Sequence, residues 1–437
     1  MNKRFSFLKM PGLRVLVFLS VLLVGCSETE EPEITSGPVK LINAVDPDPH
    51  SFSNPHQFSL THLSLDLSVD FETKVLQGAV DVTVRRNDTT ARNLVLDTRG
   101  LDVDAIRLMA KVGDTPLEYR FADEDPVLGR ALSIEIPVTA GREFKVSISY
   151  RTSPGASGLQ WLAPSQTAGK QHPFLFTQSQ AIHARSWIPL QDTPGVRVTY
   201  DARIRTPVAL RAVMSADNKP DAPLDGDFQF EMPQPIPSYL IALAVGDLAF
   251  QSMGELTGVY AEPELLEAAA VEFADTEAML RITEGLYGEY RWGRYDLLVL
   301  PPSFPFGGME NPRLSFVTPT IIAGDKSLVS LIAHELAHSW SGNLVSNATW
   351  RDLWLNEGFT TYVTSRIMEE VFGQERALME DALNVQSLHG DLRSLREDDQ
   401  ILAIDLTGRD PDDVFSEIPY VKGQLFLLYL EEQFGRE

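Results

Sequence analysis

His334 and His338, four residues apart, with Glu335 beside the first and Glu357 nineteen positions beyond the second, are the residues of this 437-residue chain best suited to hold a metal and use it. Residues four apart on a helix differ by about 40° around the axis and about 6 Å along it, so both imidazoles leave one face toward one ion. A carboxylate nineteen residues later can lie on a second helix packed against the first and supply a third ligand. Three protein ligands leave a fourth tetrahedral position open to water, the arrangement of a catalytic rather than a structural zinc. Glu335 is rotated off the metal axis and can take a proton from that water. A buried, hydrogen-bonded histidine pair would read the same way in isolation. The run Asn356, Glu357, Gly358 at ligand distance, and the apolar stretches 328–333 and 350–355 ahead of each half, favour the metal site.

These ligands need rigid elements around them, and the sequence changes period where they begin. Leu63, Leu65, Leu67 and Val69 alternate with Ser64, Asp66, Ser68 and Asp70, and Val80, Val82, Val84 and Val146, Ile148, Tyr150 repeat the pattern, which predicts sheet with one buried face. After Pro263 the spacing of Leu265, Leu266, Ala269 and Phe273 is helical, and a short strand over 297–300 precedes a glycine loop at Gly307 and Gly308. The expected fold is multidomain α+β. A β domain over 51–252 precedes a mostly helical zinc peptidase domain over 253–437, and no internal repeat is present.

Several ordered motifs share one resemblance. Gly307, Gly308, Met309, Glu310 and Asn311, then the segment 334–340, then 354–359 are similar to the M1 family of zinc aminopeptidases, and within it to the leukotriene A4 hydrolase branch. Segments 158–162, 178–183, 191–194 and 419–423 extend the likeness from about Pro55 to the end of the chain. The resemblance implies a saddle-like N-terminal sheet domain and a thermolysin-like catalytic domain. It makes Glu310 the carboxylate that holds the substrate α-ammonium group, which suits a charge-assisted hydrogen bond. It assigns Gln178, Ser179 and Gln180, with Phe306, Gly307, Gly308 and Met309, to substrate binding, and Tyr420 to the oxyanion. Phe306 departs from the family branch, where a tyrosine is expected. The implied activity is removal of N-terminal residues from peptides with a free amino terminus, using one zinc ion. Epoxide hydrolysis of a lipid is the alternative within the branch, where Asp412 matches an acidic residue but Phe415 replaces a tyrosine. A non-catalytic surface lipoprotein is the third reading. The family continues into a helical C-terminal domain, so the catalytic domain is expected to be incomplete at Glu437.

The first residues read as an address. Lys3, Arg4, Lys9 and Arg14 precede an apolar run over 15–24 that is too short to span a bilayer, which predicts a signal peptide over 1–25. Leu23, Val24, Gly25 and Cys26 resemble a bacterial lipobox, with Cys26, the only cysteine, as the lipidated residue, and 26–50 as a flexible tether. Ser27 resembles outer-membrane sorting, so the expected location is the periplasmic face of a Gram-negative outer membrane. The formal net charge of −24 repels phosphate backbones and argues against nucleic acid as a partner.

Overall fold

A computed structural model describes residues 47–111 and 113–436, which form one compact unit. The expected signal peptide, Cys26 and most of the tether lie outside the described residues. The last residues of the tether range are packed: His50 is buried, its Nε2 lies 3.1 Å from the Leu406 carbonyl, and Thr193 donates to Asp48.

The alternating segments form the expected sheet. Phe58–Asp70 pairs antiparallel with Val75–Arg86, which pairs with Glu143–Arg151; on its other edge it runs parallel to Arg197–Arg205. Leu63, Leu65 and Leu67 point into the core and Asp66 into solvent, because side chains alternate across a strand. Asp227–Pro237 and the short strands Asp102–Leu108 and Thr115–Pro116 complete seven strands. A second sheet of four strands holds Phe174–Thr177 at its centre, between Leu159–Leu162 and Leu243–Gly246.

A third sheet is ordered Ala249–Ser252, Thr257–Ala261, Tyr295–Val299, Leu314–Val317, Gly308–Met309. Ala249–Ser252, within the range expected for the β domain, pairs with Thr257–Ala261 and so joins this third sheet, because alternation marks a strand without saying which sheet it joins. Six α-helices occur among the described residues: α1 (Pro263–Glu272), α2 (Thr276–Tyr287), α3 (Ser330–Ala337), α4 (Trp354–Phe372), α5 (Gln374–Ser394) and α6 (Gly423–Phe434). None of the described helices is long and apolar enough to cross a membrane. Short α3 packs against α2, α4 and the strands Gly308–Met309 and Leu314–Val317, so the expected zinc helix is held on several sides.

Candidate active site

Helix α3 carries His334 and Glu335 and ends at Ala337, yet His338 keeps helical dihedrals (φ −57°, ψ −22°), which preserves the four-residue offset. Glu357 lies in the first turn of α4. His334 Nε2 and His338 Nε2 are 3.1 Å apart, and Glu357 Oε2 is 3.4 and 3.3 Å from them. Ligands about 2.1 Å from a tetrahedral zinc lie roughly 3.4 Å from one another. The triangle therefore has the size of one face of a zinc coordination shell. Glu357 Oε2 is buried with no hydrogen-bond partner, as a ligand oxygen aimed at a cation would be.

Outer contacts orient the imidazoles. His338 Nδ1 is 3.0 Å from the Ser341 carbonyl, which can only accept, so Nδ1 carries hydrogen and turns Nε2 toward Glu357. Thr364 Oγ1 stands 3.4 Å from His334 Nδ1. Burial keeps His334 neutral by pushing its pKa down. Burial acts in the same direction on His338, but the carboxylates of Glu357 and Glu310 outweigh it and raise this histidine to about 10. Glu357 is depressed to about 2: burial opposes its charge, and His338 and His334 overcome that.

Glu335 is buried, its Oε2 has no partner, and burial, reinforced by Glu310 and Glu357, pushes its carboxyl well above the usual range. A nearby dication would reverse that and favour the carboxylate. Gly308 fixes where the group sits, since a Cβ there would come within 2.1 Å of Glu335 Oε1. Gly308→Ala is therefore expected to displace the carboxylate and lower kcat about 100-fold with zinc content unchanged, because a shift of about 1 Å can cost that much. Steady-state rates beside metal analysis check this; an unaltered rate would mean the close approach is unimportant.

Glu310 follows the edge strand Gly308–Met309 and is 3% exposed. Burial raises its pKa, with Glu357 adding to the rise and His338 opposing it. Gln180 Nε2 reaches to 3.4 Å from its Oε1. Glu310, Glu335 and His338 form a second group of potential ligand atoms next to the first.

Tyr420 lies in a π-helical turn, Ile418–Lys422, ahead of α6, and its ring stacks on His334 at 6.0 Å and 27°. Burial, then the facing Glu357, Glu310 and Glu335, hold the phenol far above its ordinary pKa, so it stays a hydrogen-bond donor. A backbone contact sets its distance from the ligand helix: a Cβ on Gly358 would meet Gly423 Cα at 2.9 Å, and one on Gly423 would meet Gly358 Cα at 2.8 Å. Only glycines let α4 and α6 approach so closely.

A cavity of about 170 Å³ gathers Gln180, Phe306, Gly307, Gly308, Glu310, Glu335, Tyr420, His334, His338 and Glu357. The remaining expected substrate residues stand behind it. Gln178 donates to Met309 Sδ at 3.2 Å, while the Ser179 hydroxyl donates to the Ile241 carbonyl at 3.0 Å and accepts from Trp187 Nε1 at 3.1 Å. Ser179 thus braces the loop. The strand ends at Thr177, and Gln178 and Gln180 follow it in a buried loop. Asp412 grips the same loop, accepting from Ala181 N at 3.2 Å and pairing with His183 Nε2 at 2.9 Å. Sequence reasoning missed Asn343 and Asn356, buried amides that contact Glu310.

Comparison with known proteins agrees with this geometry. Residues 55–240 match the peptidase M1 N-terminal domain and residues 271–437 the peptidase family M1 domain. The chain belongs to peptidase family M1. Leukotriene A-4 hydrolase of Xenopus laevis is 43% identical over 397 residues, covering 89% of this chain and 64% of that protein. Leucine aminopeptidase 2 of Yarrowia lipolytica is 41% identical over 403 residues, covering 89% and 60%. The structure of yeast LTA4 hydrolase in complex with bestatin superposes with a TM-score of 0.84 at 37% identity, covering 90% of this chain and 61% of that one. The chain thus spans about three-fifths of the length of these relatives. Membership of this family makes zinc the implied metal, and the triangle of His334, His338 and Glu357 fits it.

Proposed function

We propose that this protein is a zinc-dependent aminopeptidase that removes N-terminal residues from peptides. The observation that carries the reading is Glu310, a buried carboxylate beside the ligand triangle with which no lysine or arginine pairs among the described residues. Once a dication favours their ionised forms, Glu310, Glu335 and Glu357 bring three negative charges into one cavity, which zinc and one substrate α-ammonium group balance. An N-acylated chain brings no such charge.

Held by His334, His338 and Glu357, zinc when bound supplies Lewis acidity for the scissile carbonyl and for the attacking water. Glu335 accepts the water proton and returns it to the leaving amine. Tyr420 donates its O–H to the developing oxyanion, a contact typically worth about 3 to 4 kcal/mol. The edge strand Gly308–Met309 has a free side on which an extended substrate backbone can pair. Gln180 and Glu310 hold the amino terminus, limiting attack to the first peptide bond. Phe306 and Phe415, 6.3 Å between ring centroids, give the first side chain an apolar wall. Epoxide hydrolysis receives less support, because Asp412 is already engaged on both oxygens and Phe415 offers no hydroxyl.

Glu310→Ala tests the reading. It is expected to retain zinc while kcat/KM for a free aminoacyl anilide falls about 100-fold, the loss of one charge-assisted anchor. An unchanged rate would remove Glu310 from substrate recognition.

We further propose that Cys26 is the lipidated first residue of a mature lipoprotein with a division at about residue 50 between tether and β domain, and that more than one acyl chain anchors it, since a single chain holds only marginally. Cys26→Ser is expected to abolish metabolic labelling with a fatty acid and to shift the enzyme to the soluble fraction. Unaltered labelling would overturn the assignment.

A further inference from the structure

Asn356 takes no part in the chemistry above, yet it is fully buried between the two halves of the site. It immediately precedes the ligand Glu357, and its Nδ2 lies 3.5 Å from Glu310 Oε1 and 3.5 Å from the Tyr239 hydroxyl. Its Oδ1 is buried without a hydrogen-bond partner. The chain opposite makes room for the amide: at Gly342, φ 112°, a Cβ would stand 2.4 Å from that oxygen. A buried amide with an orphaned oxygen is destabilising, so stability does not account for the residue. The end aimed at Glu310 does.

We infer that Asn356 is a positioning residue for the substrate amino terminus, tying the Glu310 carboxylate to the helix that carries the metal ligand Glu357. Glu310 is fixed from two directions. Asn343 Nδ2 holds its main-chain carbonyl at 2.8 Å, and Arg197 in turn donates to the Asn343 carbonyl at 2.5 Å. Among the described residues the side-chain donors to its carboxylate are Gln180 Nε2 at 3.4 Å and Asn356 Nδ2 at 3.5 Å, contacts long enough to tighten when substrate enters. Gln180 comes from the β domain, whereas Asn356 moves with Glu357. The Asn356 contact therefore sets the distance between ammonium anchor and metal, and with it the choice of the first peptide bond.

The inference rests on the aminopeptidase reading, and a double-mutant cycle separates the two. In Asn356→Ala, KM for a free aminoacyl anilide is expected to rise about tenfold with kcat changed less than about twofold and one zinc retained per chain, a loss of binding rather than of chemistry. In Glu310→Gln, adding Asn356→Ala should change KM no further, because the amide acts through the carboxylate. Asn356→Ser, which keeps a small polar group, repeats the cycle if the alanine variant does not fold. Additive effects on KM, or loss of zinc and kcat together, would overturn the inference while leaving the reading intact. A wild-type enzyme that cleaves free and N-acetylated substrates equally would overturn both.

Discussion

Glu335→Gln is expected to bind one zinc per chain and to lower kcat by about a thousandfold or more, the upper part of the range for a positioned general base. The amide matches the carboxyl in size, so α3, the ligand triangle and the close contact with Gly308 are retained. What disappears is a buried carboxylate whose Oε2 has no hydrogen-bond partner among the described residues, whereas Glu310 accepts from Gln180 and Asn356, and Glu357 lies within ligand distance of both imidazoles. Metal analysis and turnover on the same sample check this. Near-normal turnover would transfer the base role elsewhere.

The second large effect concerns metal loading and pH. Zinc needs His338 neutral, whereas the carboxylates around it hold its proton up to about 10. Zinc binding at neutral pH is therefore expected to release about one proton per ion from His338, with Glu335 adding to the count as the dication favours its carboxylate, and apparent affinity should rise as pH increases toward that value and fall in acid. Glu357, depressed to about 2, stays ionised throughout and contributes nothing to the slope. Calorimetry in buffers of different ionisation enthalpy measures the proton count; a count of zero at pH 7 would contradict the assignment of His338. In His338→Ala zinc should be lost outright, and the fold should weaken by about 3 to 5 kcal/mol, since Glu357 would remain as a buried charge with a partner removed.

The grouping of His334, His338 and Glu357 was legible in the sequence because its geometry is local. Spacing of four on one helix fixes His334 against His338, and Glu357 needs only a second helix beside the first. The strand faces of the β domain were legible for the same reason, since alternation decides which side is buried. What escaped depends on contacts distant in sequence. Gln178, Ser179 and Gln180 read as one polar group, but tertiary packing turns Gln180 to Glu310 and spends the Ser179 hydroxyl on Ile241 and Trp187. Asn356 stood within a motif already noted, and nothing local says that its amide reaches Glu310 forty-six residues away. The approach of Gly358 to Gly423 is of the same kind, a pairing of two helices that neither glycine announces.

The most direct test of the central claim is the ratio of kcat/KM for an aminoacyl anilide over its N-acetyl derivative, measured with the zinc-loaded protein. One buried Glu310 carboxylate waiting for an ammonium group predicts a ratio of about 100 or more, collapsing toward unity in Glu310→Ala. A ratio near one in the wild type, with zinc bound and Glu335 intact, would contradict the aminopeptidase assignment.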